Sequence, residues 1–379
     1  MFHAIGELLH WMPLGLPAFV FVITVVVFFH ELGHFAMARA FGIGVEAFSI
    51  GFGPAIFGWT DKKGTRWKVS WIPLGGYVKF LGDADAASTP DREMIAHMTP
   101  EQKASIFQEK PLYQRALVVG AGPGANFALA IVIFTLTFML VGREVVRPVI
   151  DSVQPHSAAE AAGIKPGDII GSVDGERIES FADLKSIVAM SPGRKVAITV
   201  KRDGKALTLF AVPRLQDVKD RFGNVQRLGM LGVAGRVDSS TVELVRYGAF
   251  GAVGAAGKQT WFVVDSTMTY LWRMVAGQED AGQLSGPVGI ARVSEQVASV
   301  GFLALIQLAA LLSVSIGLVN LFPVPVLDGG HLLYYAFEGI SGRPLGARAQ
   351  DVGFRVGLAV MLALMVLATW NDLVRLNLF

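Results

Sequence analysis

The chain contains no cysteine. That excludes disulfides and any thiolate zinc site, so a bound metal must rely on His, Asp or Glu. Charge is also scarce: 17% of the 379 residues are charged against 52% hydrophobic, and the mean hydropathy is +0.49. A soluble domain carries about 25% charged residues, so this balance suits a membrane protein with a polar portion. Thirty-three basic residues against 31 acidic ones leave a net charge of +2, too little to imply a nucleic-acid partner. The first 29 residues hold no Lys or Arg. No basic stretch therefore precedes the first apolar run, which argues against a cleaved signal peptide.

Long apolar runs are abundant. A helix needs roughly 20 apolar residues to cross a bilayer, and four stretches meet or approach that length: Leu14 to Met37, Ala116 to Val141, Val297 to Leu327 and Val356 to Asn371. The last is short, but Arg355 can snorkel to the interface. The segment after the first run holds Arg39, Lys62, Lys63, Arg66, Lys68, Lys79, Arg92, Lys103 and Lys110. Arg343, Arg348 and Arg355 precede the fourth, and the tail has only Arg375. The positive-inside rule then places both termini outside and these two loops in the cytoplasm. The roughly 155-residue segment between the second and third runs is exported; long domains translocate regardless of charge. Residues 242–275 are apolar enough to raise a fifth span. Glu243, Arg246, Lys258, Asp265 and Arg273 are expected to break them into short helices on the membrane surface.

Residues 30–34 read His-Glu-Leu-Gly-His and close the first apolar run. Two histidines four apart on a helix share a face and can grip one zinc ion, with the glutamate between them as a base. Polar groups at the end of a membrane helix are costly unless they serve a function or find partners. Zinc needs a third protein ligand and an open position, and Asp328 is the best candidate. It follows Asn320 and the helix breakers Pro323 and Pro325, and precedes Gly329 and Gly330. Irregular backbone at membrane depth is tolerated where it lines a cavity, and under the derived topology Asp328 and the histidines lie at one depth. Zinc on His30, His34 and Asp328 would make a bound water acidic, with Glu31 taking its proton. Asn320 either hydrogen-bonds the substrate backbone or the developing oxyanion, or joins two helices. His331 is read more readily as a structural or supporting residue than as a ligand. His3, His10, His97 and His156 lack metal-like spacing and read as surface or interfacial residues.

Together these residues resemble the bacterial site-2 proteases, intramembrane zinc metalloproteases, in the regulator-of-sigma-E type. The likeness covers nearly the whole chain and includes Gly51-Phe52-Gly53, Gly75-Gly76-Tyr77-Val78-Lys79, Ala121-Gly122-Pro123 with Asn126, and Gly286-Pro287-Val288-Gly289-Ile290. It implies one zinc ion per chain on His30, His34 and Asp328, with Glu31 as catalytic base. It implies a bacterial inner-membrane location and cleavage inside the single transmembrane segments of proteins in the lipid bilayer. Such substrates are anti-sigma factors already trimmed outside by an upstream site-1-type protease, or remnant signal peptides. The run Trp67 to Phe80 resembles the family's cytoplasmic membrane-associated β-loop, whose exposed edge can hold an unwound substrate by strand addition. Gly51, Phe52, Gly53, Gly75 and Gly76 are the substrate-binding candidates there, with Asn320. An ordinary cytoplasmic hairpin is the alternative.

Within the exported part, short strands around Val149-Ile150 and Asp168 to Val173 precede a helix from Phe181 to Met190. A strand pair follows, Lys195 to Lys201 and Ala206 to Val212, turning at Asp203-Gly204. The phrase Ala162-Gly163-Ile-Lys-Pro-Gly167-Asp168-Ile-Ile is similar to the core of PDZ domains, and one such α+β unit is present where the type often has two. It either binds a peptide terminus or filters substrates by size, and the latter is slightly favoured. The expected layout is residues 1–38, first span; 39–112, cytoplasmic loop with the β-hairpin and a polar, mobile linker at 82–110; 113–142, second span; 143–236, periplasmic PDZ domain; 237–296, surface helices; 297–335, third span with Leu-Asp-Gly; 336–354, cytoplasmic connection; 355–379, fourth span and periplasmic tail. The fold class is thus a four-span helical membrane protein with both termini periplasmic. Two other functions compete: a non-catalytic PDZ-containing membrane adaptor, which has no use for Glu31, and a metal transporter, which would spread polar groups along several spans.

Overall fold

The computed structural model describes residues 2–84, 92–178, 180–189, 191–219, 225–236, 241–277 and 285–375. It divides into two compact units. The first comprises Met1–Thr135, Val253–Trp272 and Asp280–Phe379; the second comprises Leu136–Ala252 and Arg273–Glu279.

In the first unit the opening apolar run forms α1 (Phe2–Ala40). The helix stops where Gly42 takes φ +66° and the Ile43 N–H bonds back to the Ala38 carbonyl, a left-handed glycine cap. A long hairpin follows, β1 (Val45–Thr60) and β2 (Arg66–Phe80). Both strands bend. The start of β1 pairs Val45 with Phe80 and Phe48 with Val78 on one side, and lies against Trp67 and Lys68 on the other; Thr60 then pairs Arg66. Segment 76–80 is thereby left at one edge. Phe48, Val78 and Phe80 pack with Ala38, Phe107, Val118 and Val119 in a buried cluster under the hairpin. The turn is tied to the end of α1 by Asp61, which accepts from Arg39 at 3.0 Å and from the Trp67 indole at 3.2 Å.

Two short helices, α2 (Arg92–Ala96) and α3 (Pro100–Lys103), lead to α4 (Leu112–Leu140). The segment expected to be a mobile linker is partly built into the fold. Thr99 and Gln102 form a reciprocal capping box at α3, and Ile106 and Phe107 are buried. Residues 85–91 of that segment lie outside the described residues.

The second unit takes up the chain with β3 (Arg143–Val146), β4 (Ile150–Val153), α5 (Ala158–Ala161), β5 (Ile169–Val173), β6 (Glu176–Arg177), α6 (Phe181–Ala189), β7 (Val196–Arg202), β8 (Lys205–Ala211), β9 (Arg214–Lys219), β10 (Val225–Met230), β11 (Val233–Gly235) and β12 (Val242–Val245). A four-stranded sheet runs β6-β5-β7-β8, and β11–β4, β12–β3 and β10–β9 form separate pairs. Alternation buries Val196, Ile198 and Val200 of β7 against Ile150, Ile170, Val173 and Leu184. Asp174-Gly175 and Asp203-Gly204 hold positive φ at both residues, the geometry of tight hairpin turns.

The remaining helices are α7 (Ala249–Val275), α8 (Pro287–Val300), α9 (Phe302–Asn320), α10 (Asp328–Ser341) and α11 (Ala347–Arg375). Two expectations change here. Residues 249–275 form one continuous helix rather than short pieces, because Lys258 and Asp265 are exposed and need not interrupt it. The apolar run 297–327 is divided at both ends: Gly301, at φ +142°, separates α8 from α9, and the prolines end α9 in a loop before α10. Among the described residues four helices are long and apolar enough to cross a membrane: Met12–Ala40, Leu112–Leu140, Phe302–Asn320 and Arg348–Val374.

Candidate metal centre

His30 and His34 face the same side of α1 with ring centroids 4.8 Å apart. Asp328 reaches them from the first position of α10. The loop before it folds back tightly: a side chain at Gly329 would lie 2.2 Å from the Leu321 carbonyl oxygen, and one at Gly330 would lie 2.3 Å from that of Val324. The Leu-Asp-Gly-Gly sequence is therefore what lets Asp328 start a helix at this depth.

Three atoms converge. His30 Nε2 lies 3.2 Å from His34 Nε2. Asp328 Oδ2 lies 3.2 Å from the first and 3.6 Å from the second, and this oxygen is buried without a hydrogen-bond partner. Ligands at about 2.0–2.1 Å from a tetrahedral zinc stand about 3.3 Å from one another. Two imidazole nitrogens and a carboxylate oxygen at that spacing suit zinc, and among the described residues they form the one cluster with metal-ligating geometry.

Helix α4 supports the histidines. His34 Nδ1 donates to the Val118 carbonyl at 2.9 Å, and His30 Nδ1 meets the side-chain amide of Asn126 at 3.3 Å. The two helices approach closely because Gly33 and Gly122 lack side chains: a Cβ on either would lie 2.2 Å from the Ala121 carbonyl oxygen or from His34 Nε2. Neither Val118 nor Asn126 was picked out from the sequence for this role. The lone amide in an uncharged run was the available signal for Asn126.

Glu31 lies beside the β2 edge. A Cβ on Gly76 would meet its Cγ at 3.0 Å. A cavity of about 460 Å³ opens here, lined by His30, Glu31, His34, Gly76, Asn320 and Asp328 among others. His331, Tyr335 and the Arg115–Glu338 ion pair, 2.6 Å long, lie along its wall. Gly51, Phe52, Gly53 and Gly75 do not line it. Phe52 stacks on Tyr77 at 6.2 Å, and Gly75, at φ +134°, makes room for the Phe52 ring.

The sequence profile of Peptidase family M50 matches residues 18–364. The chain belongs to this family. A protein of Agrobacterium fabrum named as a zinc metalloprotease is 48% identical, with 94% of each chain covered. The metalloprotease MmpA of Caulobacter vibrioides is 40% identical over 96% of each chain. The regulator of sigma-E protease RseP of Escherichia coli is 31% identical over 95% of this chain and 98% of its own. The protein is accordingly an M50 metallopeptidase, and its relatives' names imply zinc.

Proposed function

We propose that this M50 enzyme cleaves peptide bonds within transmembrane segments, using one zinc ion held by His30, His34 and Asp328 and Glu31 as the general base. The observation that carries this reading is the convergence of the three ligand atoms beside Glu31 in a cavity at the end of an apolar helix. Bound there, zinc supplies Lewis acidity, polarising the scissile carbonyl and making water acidic near neutral pH. Glu31 accepts the proton of the attacking water and later delivers it to the leaving amine. Asn320, in the cavity wall, donates to the substrate backbone or to the developing oxyanion.

An intact helix hides its carbonyls, so a substrate must unwind before it is cut. The β2 edge at Gly76–Val78 beside Glu31 offers main-chain groups for an extended segment, and the Gly51–Gly53 and Gly75 bends shape that edge. The four candidate spans and the distribution of basic residues support both termini outside, the hairpin in the cytoplasm and the second unit in the periplasm of an inner-membrane protein. That unit, with its four-stranded sheet, α6 and the Gly167-Asp168 turn, is read as a single PDZ-type domain. The alignment with RseP runs over 458 positions, more than the 379 residues here, which fits RseP carrying an insertion. Substrates are single-span proteins trimmed first by another protease.

Glu31→Gln is expected to abolish cleavage of a reporter transmembrane segment in detergent or vesicles while zinc content stays at one per chain. Cleavage at the wild-type rate would sink the assignment of the base.

A further inference from the structure

The two histidines are held by the same face of α4. Val118, Gly122 and Asn126 are spaced four residues apart, one turn per step. The Val118 carbonyl accepts a hydrogen bond from His34 Nδ1–H, Gly122 leaves room for the His34 ring, and Asn126 meets His30. A carbonyl only accepts, so His34 carries its hydrogen on Nδ1 and turns the Nε2 lone pair inward. Metal binding demands the same of His30. The group facing His30 Nδ1 is the Asn126 amide, whose nitrogen lies at 3.3 Å and whose oxygen is buried without a partner. With the nitrogen donating, His30 would carry its proton on Nε2, aimed at the other two ligands, and could not bind a metal. The oxygen and nitrogen of an amide are nearly the same size, and a half-turn exchanges them.

We propose that Asn126 is a positioning residue for His30: its amide oxygen accepts the Nδ1 proton, fixing the tautomer that offers Nε2 to the metal. The Asn126 backbone is held firmly in place beside His30. Asn126 is fully buried, its main-chain carbonyl accepts from Ser313 Oγ of α9 at 2.9 Å, and α9 passes so close at Gly317 that a side chain there would lie 3.1 Å from the Asn126 Cβ. Outer-shell partners of this kind typically affect metal affinity 10–100-fold. The inference rests on the metal reading above.

The test is zinc affinity of the full-length detergent-solubilised protein, measured by competition with a chromophoric chelator. Thermal unfolding of the zinc-free forms controls for folding. Asn126→Leu, close in size without an acceptor, is expected to weaken zinc binding about 10–100-fold. Asn126→Asp, which can only accept, is expected to bind zinc at least as tightly as the wild type. Wild-type affinity in the Leu variant overturns the proposal, as does a tenfold or greater loss in the Asp variant with its zinc-free unfolding unchanged. The Asp variant decides alone if the Leu variant does not fold. Failure of the wild type to bind zinc would instead overturn the metal reading itself.

Discussion

A single methyl group probes the metal centre. At Gly122 it would lie 2.2 Å from His34 Nε2, the atom that faces the ion in the proposed centre. Carbon and nitrogen do not approach closer than about 3 Å without bonding, so Gly122→Ala must turn the imidazole or part α1 from α4. Zinc affinity is expected to fall at least tenfold, as measured by chelator competition, while the protein still inserts into membranes. Wild-type affinity would mean that α4 does not pack on the histidines as described. That His30 and His34 share one face was legible in the sequence because the motif is local: a helix puts residues four apart on one face whatever surrounds it. Asp328 was legible from its prolines and glycines. The supports were not, since Val118 and Asn126 meet the histidines across 84 and 96 residues, and no local pattern encodes such a contact.

Elements are fastened in the same indirect way. Helix α8 opens with Gly286-Pro287-Val288-Gly289, so its N-cap residue has no side chain to offer the free N–H groups. Asp372, near the end of α11 and buried, supplies the missing acceptor: its Oδ2 takes the Gly289 N–H at 2.8 Å. Both glycines are needed for the approach, since a Cβ on either would lie within 2.9 Å of that carboxylate. Asp372→Ala is expected to remove a cap contribution of about 1 kcal/mol and lower the thermal midpoint in detergent. Gly289→Ala, which leaves the carboxylate in place but excludes it sterically, should do the same. An unchanged midpoint in both would show that α8 does not depend on α11. The glycines and proline were visible in the sequence, but the partner lies 83 residues away. The division of residues 297–327 was equally hidden, because hydropathy counts apolar residues and is blind to the positive φ at Gly301. In the second unit the strand pair turning at Asp203-Gly204 was readable because that turn is encoded by its own two residues.

At the scale of the whole molecule, the response of the second unit to acid can be traced to one carboxylate. The second unit is anchored by a buried carboxylate. Asp168 receives both its oxygens' bonds from Arg202, at 2.7 Å each, and a third from the Lys165 N–H at 2.9 Å. Burial alone would raise its pKa, but these bonds and the guanidinium charge hold it below the ordinary 3.8. A depressed folded-state value means the anchor contributes fully above the unfolded pKa and is lost as the pH falls through and below that range. The unit contains no tryptophan, whereas all seven tryptophans belong to the first unit. Tryptophan fluorescence of the intact protein therefore reports on the first unit, while far-ultraviolet circular dichroism reports on both. On acidification below about pH 4, part of the β-type dichroism of the wild type should fade as Asp168 is protonated. Asp168→Asn, which keeps the shape but loses the charge, should lower the dichroism midpoint at neutral pH and flatten its pH dependence. An Asn variant with the wild-type pH profile would show that this carboxylate does not anchor the unit.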